Sequence, residues 1–91
     1  MAAHKTVRSQ RAFEIGRLTI VEWLDAMGTI SWTDPEDITA EPGSCESVGR
    51  LLSVNKSVIC VASNKCRTNG RVDHVMTIPR GCVVSVRQMR E

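Results

Sequence analysis

Three cations lie close together in one polar stretch of the chain. The stretch SNKCRTNG, residues 63–70, contains Lys65 and Arg67, and Arg71 follows it directly. An arginine guanidinium holds a phosphate through paired hydrogen bonds, and a lysine ammonium adds a compact positive charge. The sequence therefore predicts a site for a phosphate or another anion, and Arg50 and Arg80 complete the candidate ligand-binding set. The alternative is a solvated loop tip without a ligand.

Charges of opposite sign are segregated along the chain. Residues 22–46 contain seven acidic residues and no lysine or arginine, whereas residues 47–91 contain eight basic residues and two acidic ones. This segregation is typical of two arrangements. In the first, the charges cover a solvated surface and opposite patches stabilise the fold. In the second, the patches join subunits head to tail, or a basic face binds an anion.

The long connection Gly28–Ser44 holds the candidate residues for a protein contact, which are Trp32, Asp34, Glu36 and Asp37. Asp34 followed by Pro35 is a helix-start signal and predicts one helical turn near Pro35–Ile38. We expect Trp32 to anchor this connection to the body of the domain, because it is the largest apolar side chain there. The alternative is that Trp32 stacks on a base or on a protein partner.

The residue types for metal and catalytic chemistry do not form a recognisable pattern. The cysteines, Cys45, Cys60, Cys66 and Cys82, include no Cys-x-x-Cys pair, and the histidines do not complete a zinc pattern. We therefore expect no bound metal. Because the N-terminus lacks the apolar centre of a secretory signal, we expect a reducing compartment and free thiols, with a Cys60–Cys66 bridge as the alternative. His74 alternates with apolar residues as a strand histidine does, and the acids of residues 34–37 lie in a connection where carboxylates normally stay solvated. Because the sequence also has no Gly-rich phosphate loop, it predicts a protein that is not an enzyme and has no cofactor.

Period-two patterns predict a mainly β domain. Five strands are expected, over Leu18–Ala26, Cys45–Val54, Val58–Ala62, Arg71–Ile78 and Cys82–Val86. Pro79 ends the fourth strand and Gly81 supplies the freedom for a tight corner, while Gly49 predicts a bend or bulge in the second strand. We expect such a sheet to curl into a small five-stranded barrel of SH3-like or Sm-like type, with one or two short helices.

The chain is expected to contain one domain. Residues 18–91 form a single small β-barrel domain in this prediction, and residues 1–17 form a basic N-terminal segment or a short helix. No apolar run approaches the roughly 20 residues that a membrane-spanning helix needs, so no membrane contact is expected.

Alternation also predicts which residues share a face of each strand. The first strand has apolar residues on both faces, which favours a strand covered on both sides. In the second strand, Val48, Leu52 and Val54 are expected to share a face. In the fifth, the shared face is expected to hold Cys82, Val84 and Val86.

The closing segment IPRGCVVSV, residues 78–86, resembles the second Sm motif, in which an apolar residue, a basic residue and a glycine precede the last strand. Pro79 departs from that motif, because it separates the apolar residue from Arg80. The Asp-Gly or Asp-Asn pair of the first Sm motif is also missing before the long connection. The resemblance therefore implies a small-barrel plan, and the RNA-binding residues of Sm proteins are not carried over to this chain.

A second resemblance covers the chain from Leu18 to Val86. The segments TIVEWLDA (residues 19–26), SVGRLL (residues 47–52) and IPRG (residues 78–81), together with Trp32, resemble a group of small bacteriophage and prophage proteins. This resemblance implies a phage origin and a place in the cytoplasm of the infected host cell. It implies no particular activity.

These observations lead to two hypotheses for the function. The first is an oligomeric small-barrel protein that binds a nucleotide, RNA or another anion, and that in a phage setting sequesters a nucleotide signal of host defence. The second is a protein-interaction or virion structural module that uses the acidic connection and Trp32 against a host or phage protein. Self-association is expected because the last strand, Cys82–Val86, is short, apolar and unprotected at its edge.

Overall fold

Alternating β-branched residues form five antiparallel strands in a single sheet. The computed structural model describes residues 13–90. Its strands are β1 (Leu18–Asp25), β2 (Gly43–Val54), β3 (Val58–Lys65), β4 (Val72–Pro79) and β5 (Val83–Gln88). They follow the order β4-β3-β2-β1-β5 across the sheet, which is not closed in the described region because β4 and β5 are its edges. The predicted mainly β class with five strands is confirmed.

Two one-turn 3-10 helices connect strands within residues 13–90. The first, Pro35–Asp37, confirms the turn predicted at this place, and the proline sits where a missing N–H costs no hydrogen bond. The second, Arg80–Cys82, joins β4 to β5. The prediction for the basic N-terminal segment falls largely on residues 1–12, which lie outside the described residues. No helix of the described region has the length and apolar character to span a membrane.

The core consists of aliphatic side chains that all five strands contribute. Its fully buried members are Val21, Leu51, Ile59, Val61, Ile78 and Val86. Burying a side chain of this kind stabilises the fold by about 1.5–3 kcal/mol. The half-buried Trp23 packs against this cluster, and its Nε1 donates a hydrogen bond to Ser47 Oγ at 3.0 Å. The polar edge of the indole is therefore satisfied while its rings cover the core.

Strand β1 is covered unequally on its two faces. Thr19 and Val21 are buried and Trp23 is half-buried on the face towards the core. On the other face, Leu18 and Ile20 are half-buried, whereas Glu22 and Leu24 are exposed. The predicted cover on both sides is therefore found only in part, at the start of the strand.

A bulge in β2 changes the face on which its later residues lie. The register between β2 and β3 shifts after the pair of Leu51 and Val61, so that Leu52 is an additional residue. An extra residue reverses the face of each residue that follows it. Leu51 is buried before the bulge, and Val54 packs against the core after it. The predicted shared face is wrong, and Val48 is 44% exposed.

A second bulge has the same effect in β5. The register of β5 against β1 shifts so that Val84 is the additional residue. Val83 packs against the core and Val86 is buried, whereas Val84 is 58% exposed. The predicted grouping of Val84 with Cys82 and Val86 is therefore wrong.

Of the two glycines that were expected to shape the sheet, Gly49 permits a close approach of two strands, whereas Gly81 has an ordinary backbone conformation. Gly49 lies where β2 passes close to β3, and a Cβ added there would lie 2.4 Å from the carbonyl oxygen of Ala62. Gly81 lies in the 3-10 turn between β4 and β5 with an ordinary φ, since the positive-φ glycines of the described region are Gly16 and Gly70. The prediction that the corner needs the freedom of a glycine at Gly81 is wrong.

Candidate functional site

A groove at one end of the sheet collects cations from separate parts of the chain. Arg50 lies on β2, paired with Leu18 of β1 and Ala62 of β3. Lys65 is the last residue of β3, and Arg67 belongs to the loop that follows. These three cations line a space of about 910 Å³, called here the basic groove. Its apolar lining includes Ile15, Leu52 and Val72.

A smaller hollow of about 430 Å³ adjoins the basic groove. Asn64, Lys65 and Val72 line both spaces, and Arg71 lines the smaller one. The structure thus brings together four of the five predicted cations. Within residues 13–90, no acidic side chain forms an ion pair with Lys65, Arg67 or Arg71.

Arg80, the fifth predicted cation, lies apart from this group. It belongs to the 3-10 turn after β4, and its Nη1 donates a hydrogen bond to the carbonyl oxygen of Asn55. Its own N–H donates to the carbonyl oxygen of Ser57 at 2.9 Å. Arg80 therefore fastens the turn between β2 and β3, at the end of β3 that is remote from Lys65.

Backbone hydrogen bonds fix the loop that carries Arg67. The N–H of Cys66 donates to the carbonyl oxygen of Arg71, and the N–H of Gly70 donates to that of Cys66, both at 2.7 Å. The side-chain oxygen of Asn69 accepts the N–H of Arg71 at 2.9 Å. Gly70 has a φ of 78°, a left-handed conformation that favours glycine. Asn69 and Gly70 thus close a tight turn, which leaves Arg67 and Arg71 exposed.

The side chain of Arg50 is oriented by the segment that precedes β1. Its Nη1 donates to the carbonyl oxygen of Gly16 at 3.4 Å. The N–H of Gly16 donates to the carbonyl oxygen of Leu51 at 2.7 Å, and the N–H of Leu51 donates to that of Arg17 at 3.0 Å. The segment therefore runs along β2, and one long hydrogen bond links it to the guanidinium of Arg50, a residue that is half-buried as a whole.

A polar cluster that sequence reasoning missed borders the smaller hollow. Asn64 Nδ2 donates to Asp73 Oδ1 at 2.7 Å, and His74 Nδ1 lies 3.1 Å from the same oxygen. These hydrogen bonds, with His74 the larger cause and Asn64 the next, lower the pKa of the Asp73 carboxyl group. His74 has a φ of 52°, so the backbone of β4 leaves the extended conformation there. The neighbouring Asp-His pair was the only sequence signal for this cluster.

Cys66 is the exposed thiol among the four cysteines, all of which are free. It lines the smaller hollow together with Lys65 and Arg71. Hydrogen bonds from the backbone N–H groups of Asn69 and then of Thr68 lower the pKa of its thiol. The other three cysteines are half-buried in strands or at the turn before β5.

We expect Cys66 to be alkylated before the other cysteines in the folded protein. A lowered pKa raises the fraction of thiolate at a given pH, and the thiolate is the nucleophile. Iodoacetamide labelling at a series of pH values, read by peptide mass spectrometry, should place the midpoint for Cys66 below the ordinary thiol value of about 8.5. The variant Cys66→Ser should remove the fast phase. Equal labelling rates at all four cysteines of the folded protein would contradict the expectation.

Residues 26–42, called here the acidic arm, join the paired ends of β1 and β2 at Asp25 and Gly43. Every residue of the acidic arm is exposed. Ile30 and Trp32 are fully exposed, each at 104% of its reference area. The prediction that Trp32 anchors this connection to the body is therefore wrong, because its side chain lies against no other part of the described chain. The acids of the arm are Asp34, Glu36, Asp37 and Glu41.

No known protein family, curated protein or solved structure matches the chain. Among the described residues, no group of three or more His, Cys, Asp or Glu side chains is placed to hold a metal ion. The arrangement of cations, apolar side chains and backbone around the basic groove is therefore the basis for assigning a function.

Proposed function

We propose that this protein is a non-enzymatic binding protein that holds an anion, a nucleotide or a short RNA, in the basic groove. The observation that carries the proposal is the position of Arg50, Lys65, Arg67 and Arg71 around two adjoining spaces. Asp73 lines the smaller hollow beside Lys65 and Arg71, whereas the described lining of the basic groove includes no acidic side chain. A phosphate bound in the groove would supply negative charge and accept hydrogen bonds from the guanidinium groups.

The basic groove suits a ligand larger than inorganic phosphate. Its volume of about 910 Å³ falls within the range of roughly 300–1,000 Å³ for small-molecule sites. Leu52 and Val72 give the groove an apolar side next to its cations. A nucleotide has the same division, with charged phosphate at one end and an apolar base face at the other.

The proposal extends to the type of fold and to the setting. An SH3-like or Sm-like small barrel is supported by β5 lying beside β1 and by the 3-10 turn that joins the two edge strands. The resemblance of the strand motifs to phage proteins favours a place in the cytoplasm of the infected cell. There a protein of this kind would sequester a nucleotide signal of host defence. The exposed edges of β4 and β5 favour homo-oligomers.

Calorimetric titration of the purified protein with ATP, inorganic phosphate and a short oligouridine tests the proposal. Each neutralised phosphate of a single strand contributes a slope of about −0.7 to log K against log salt. If four phosphates are neutralised, raising the salt from about 50 mM to about 200 mM should weaken RNA binding about 50-fold. No binding of any of the three probes at low salt, or binding that is insensitive to salt, would overturn the proposal.

A protein-interaction or virion structural module is the second candidate. The full exposure of Trp32 within the acidic arm favours it, because tryptophan is a common centre of protein contacts. Its partner would be a host or phage protein that contacts Trp32, Asp34, Glu36 and Asp37. Such a contact is dominated by apolar burial, so its affinity changes little over the salt range that weakens phosphate binding.

A further inference from the structure

The acidic arm follows β1 and the loop that carries Arg67 follows β3, so both lie at the same end of the antiparallel sheet. Arg50 pairs with Leu18, at the end of the β1–β2 hairpin opposite to Asp25 and Gly43, where the arm begins. Strand β1 has eight residues, so its ends are about 23 Å apart at roughly 3.3 Å per residue. Every residue of the arm is exposed and Trp32 contacts no other part of the described chain, so the arm does not occupy the groove of its own chain.

The two surfaces are complementary in both charge and apolar character. The acidic arm presents Ile30 and Trp32, both fully exposed, and it contains no lysine or arginine. The basic groove presents three cations and an apolar lining. Ile30 and Trp32 are both within four positions of Asp34. One segment thus offers an apolar anchor and negative charge together.

We infer that the acidic arm of one copy of this chain binds in the basic groove of a second copy. Trp32 packs on the apolar lining, and the carboxylates of Asp34, Glu36 and Asp37 pair with the groove cations. Each copy then uses one surface of each kind, so the contact is head to tail and produces a ring or an open chain. This contact shares its groove with the proposed anion site but requires no ligand, and a bound nucleotide would compete with it.

A charge exchange between two variants tests this contact. An arm-reversed chain carries Asp34→Lys, Glu36→Lys and Asp37→Lys, and a groove-reversed chain carries Lys65→Glu and Arg67→Glu. Each variant alone opposes like charges, and light scattering should give the mass of a monomer, 10.1 kDa for this chain. In an equal mixture, the basic arm of one chain fits the acidic groove of the other. The mixture should therefore regain the higher mass of the wild type.

Two further variants keep the result interpretable. Lys56→Glu changes the charge in the same direction at the turn between β2 and β3, away from the groove, and should leave the oligomer intact. Trp32→Ala removes a side chain that is fully exposed, so the fold is retained while self-association weakens at least about tenfold, or about 1.4 kcal/mol. Trp32→Ala should bind ATP at least as tightly as the wild type does, because the weakened arm competes less for the groove, and this separates the contact from the anion site.

The inference is overturned by any of three results. One is a monomeric wild type at tens of micromolar. The second is a mixture of the two reversed variants that stays monomeric although both melt at the temperature of the wild type. The third is a Trp32→Ala variant whose mass equals that of the wild type at every concentration measured.

Discussion

Replacing Gly49 by alanine is expected to remove a large part of the stability of the protein. A Cβ at this position would lie 2.4 Å from the carbonyl oxygen of Ala62 and 2.7 Å from its carbonyl carbon. Both atoms belong to the backbone of β3, so the overlap is relieved only by moving β3 away from β2. That movement would open the core around Leu51 and Val61, which are paired across the same two strands.

The expected cost of this substitution is about 3 kcal/mol or more, at the upper end of the range for overpacked cores. Domains of this size are stable by only about 5–15 kcal/mol, so much of the population would unfold on mild heating. Urea denaturation followed by circular dichroism measures the loss. Gly28→Ala is the matched control, since a Cβ there meets no atom within 4 Å, and its effect should stay within about 0.5 kcal/mol. Equal urea midpoints for the two variants would show that β2 and β3 do not approach closely at Gly49.

The strands were predictable because apolar and polar residues alternate in the sequence with a period of two. The face of the sheet on which each residue lies was not predictable. Leu52 and Val84 are each one extra residue opposite a continuous partner strand. A sequence does not mark such a residue, since nothing in its type distinguishes a valine in a bulge from one in a regular ladder. One insertion then reverses every later assignment in the strand. Val54 packs against the core after the bulge, so alternation counted back from Val54 places Leu51, which precedes the bulge, on the wrong face.

Only the part of the basic site that is contiguous in the sequence was predictable. Lys65, Arg67 and Arg71 are neighbours in sequence, and the Asn69–Gly70 turn keeps them together. Arg50 joins them through the pairing of β2 with β3, and pairing registers are set by turns and bulges that alternation alone does not specify. Arg80 is separated from them by the length of β3.

The exposure of Trp32 could not be inferred from its residue type. A large aromatic side chain is buried in most domains, which favoured an anchoring role. The acidic arm starts at the end of the hairpin, however, and its described residues extend beyond the sheet. A fully exposed tryptophan in such a segment is informative because it is unusual, and it is the reason for assigning the arm to an interface.

Replacing Lys65, Arg67 and Arg71 together by alanine is expected to abolish the binding of ATP and oligouridine. Hydrogen bonds to charged groups contribute about 1.5–3 kcal/mol each. Losing even two such contacts weakens binding by two orders of magnitude or more, since 1.4 kcal/mol corresponds to a factor of ten. The side chains are exposed and have no acidic partner in residues 13–90, so the melting temperature should change little.

The control for this triple variant is Lys56→Ala, which removes an exposed cation at the turn between β2 and β3. Its affinity for ATP should equal that of the wild type. Calorimetry and a melting curve on the same samples then separate the outcomes. Unchanged ATP binding in the triple variant would place the anion site elsewhere. A large fall in its melting temperature would mean that the three cations stabilise the fold. Lost binding together with an unchanged melting temperature would locate the ligand in the basic groove and the hollow beside it.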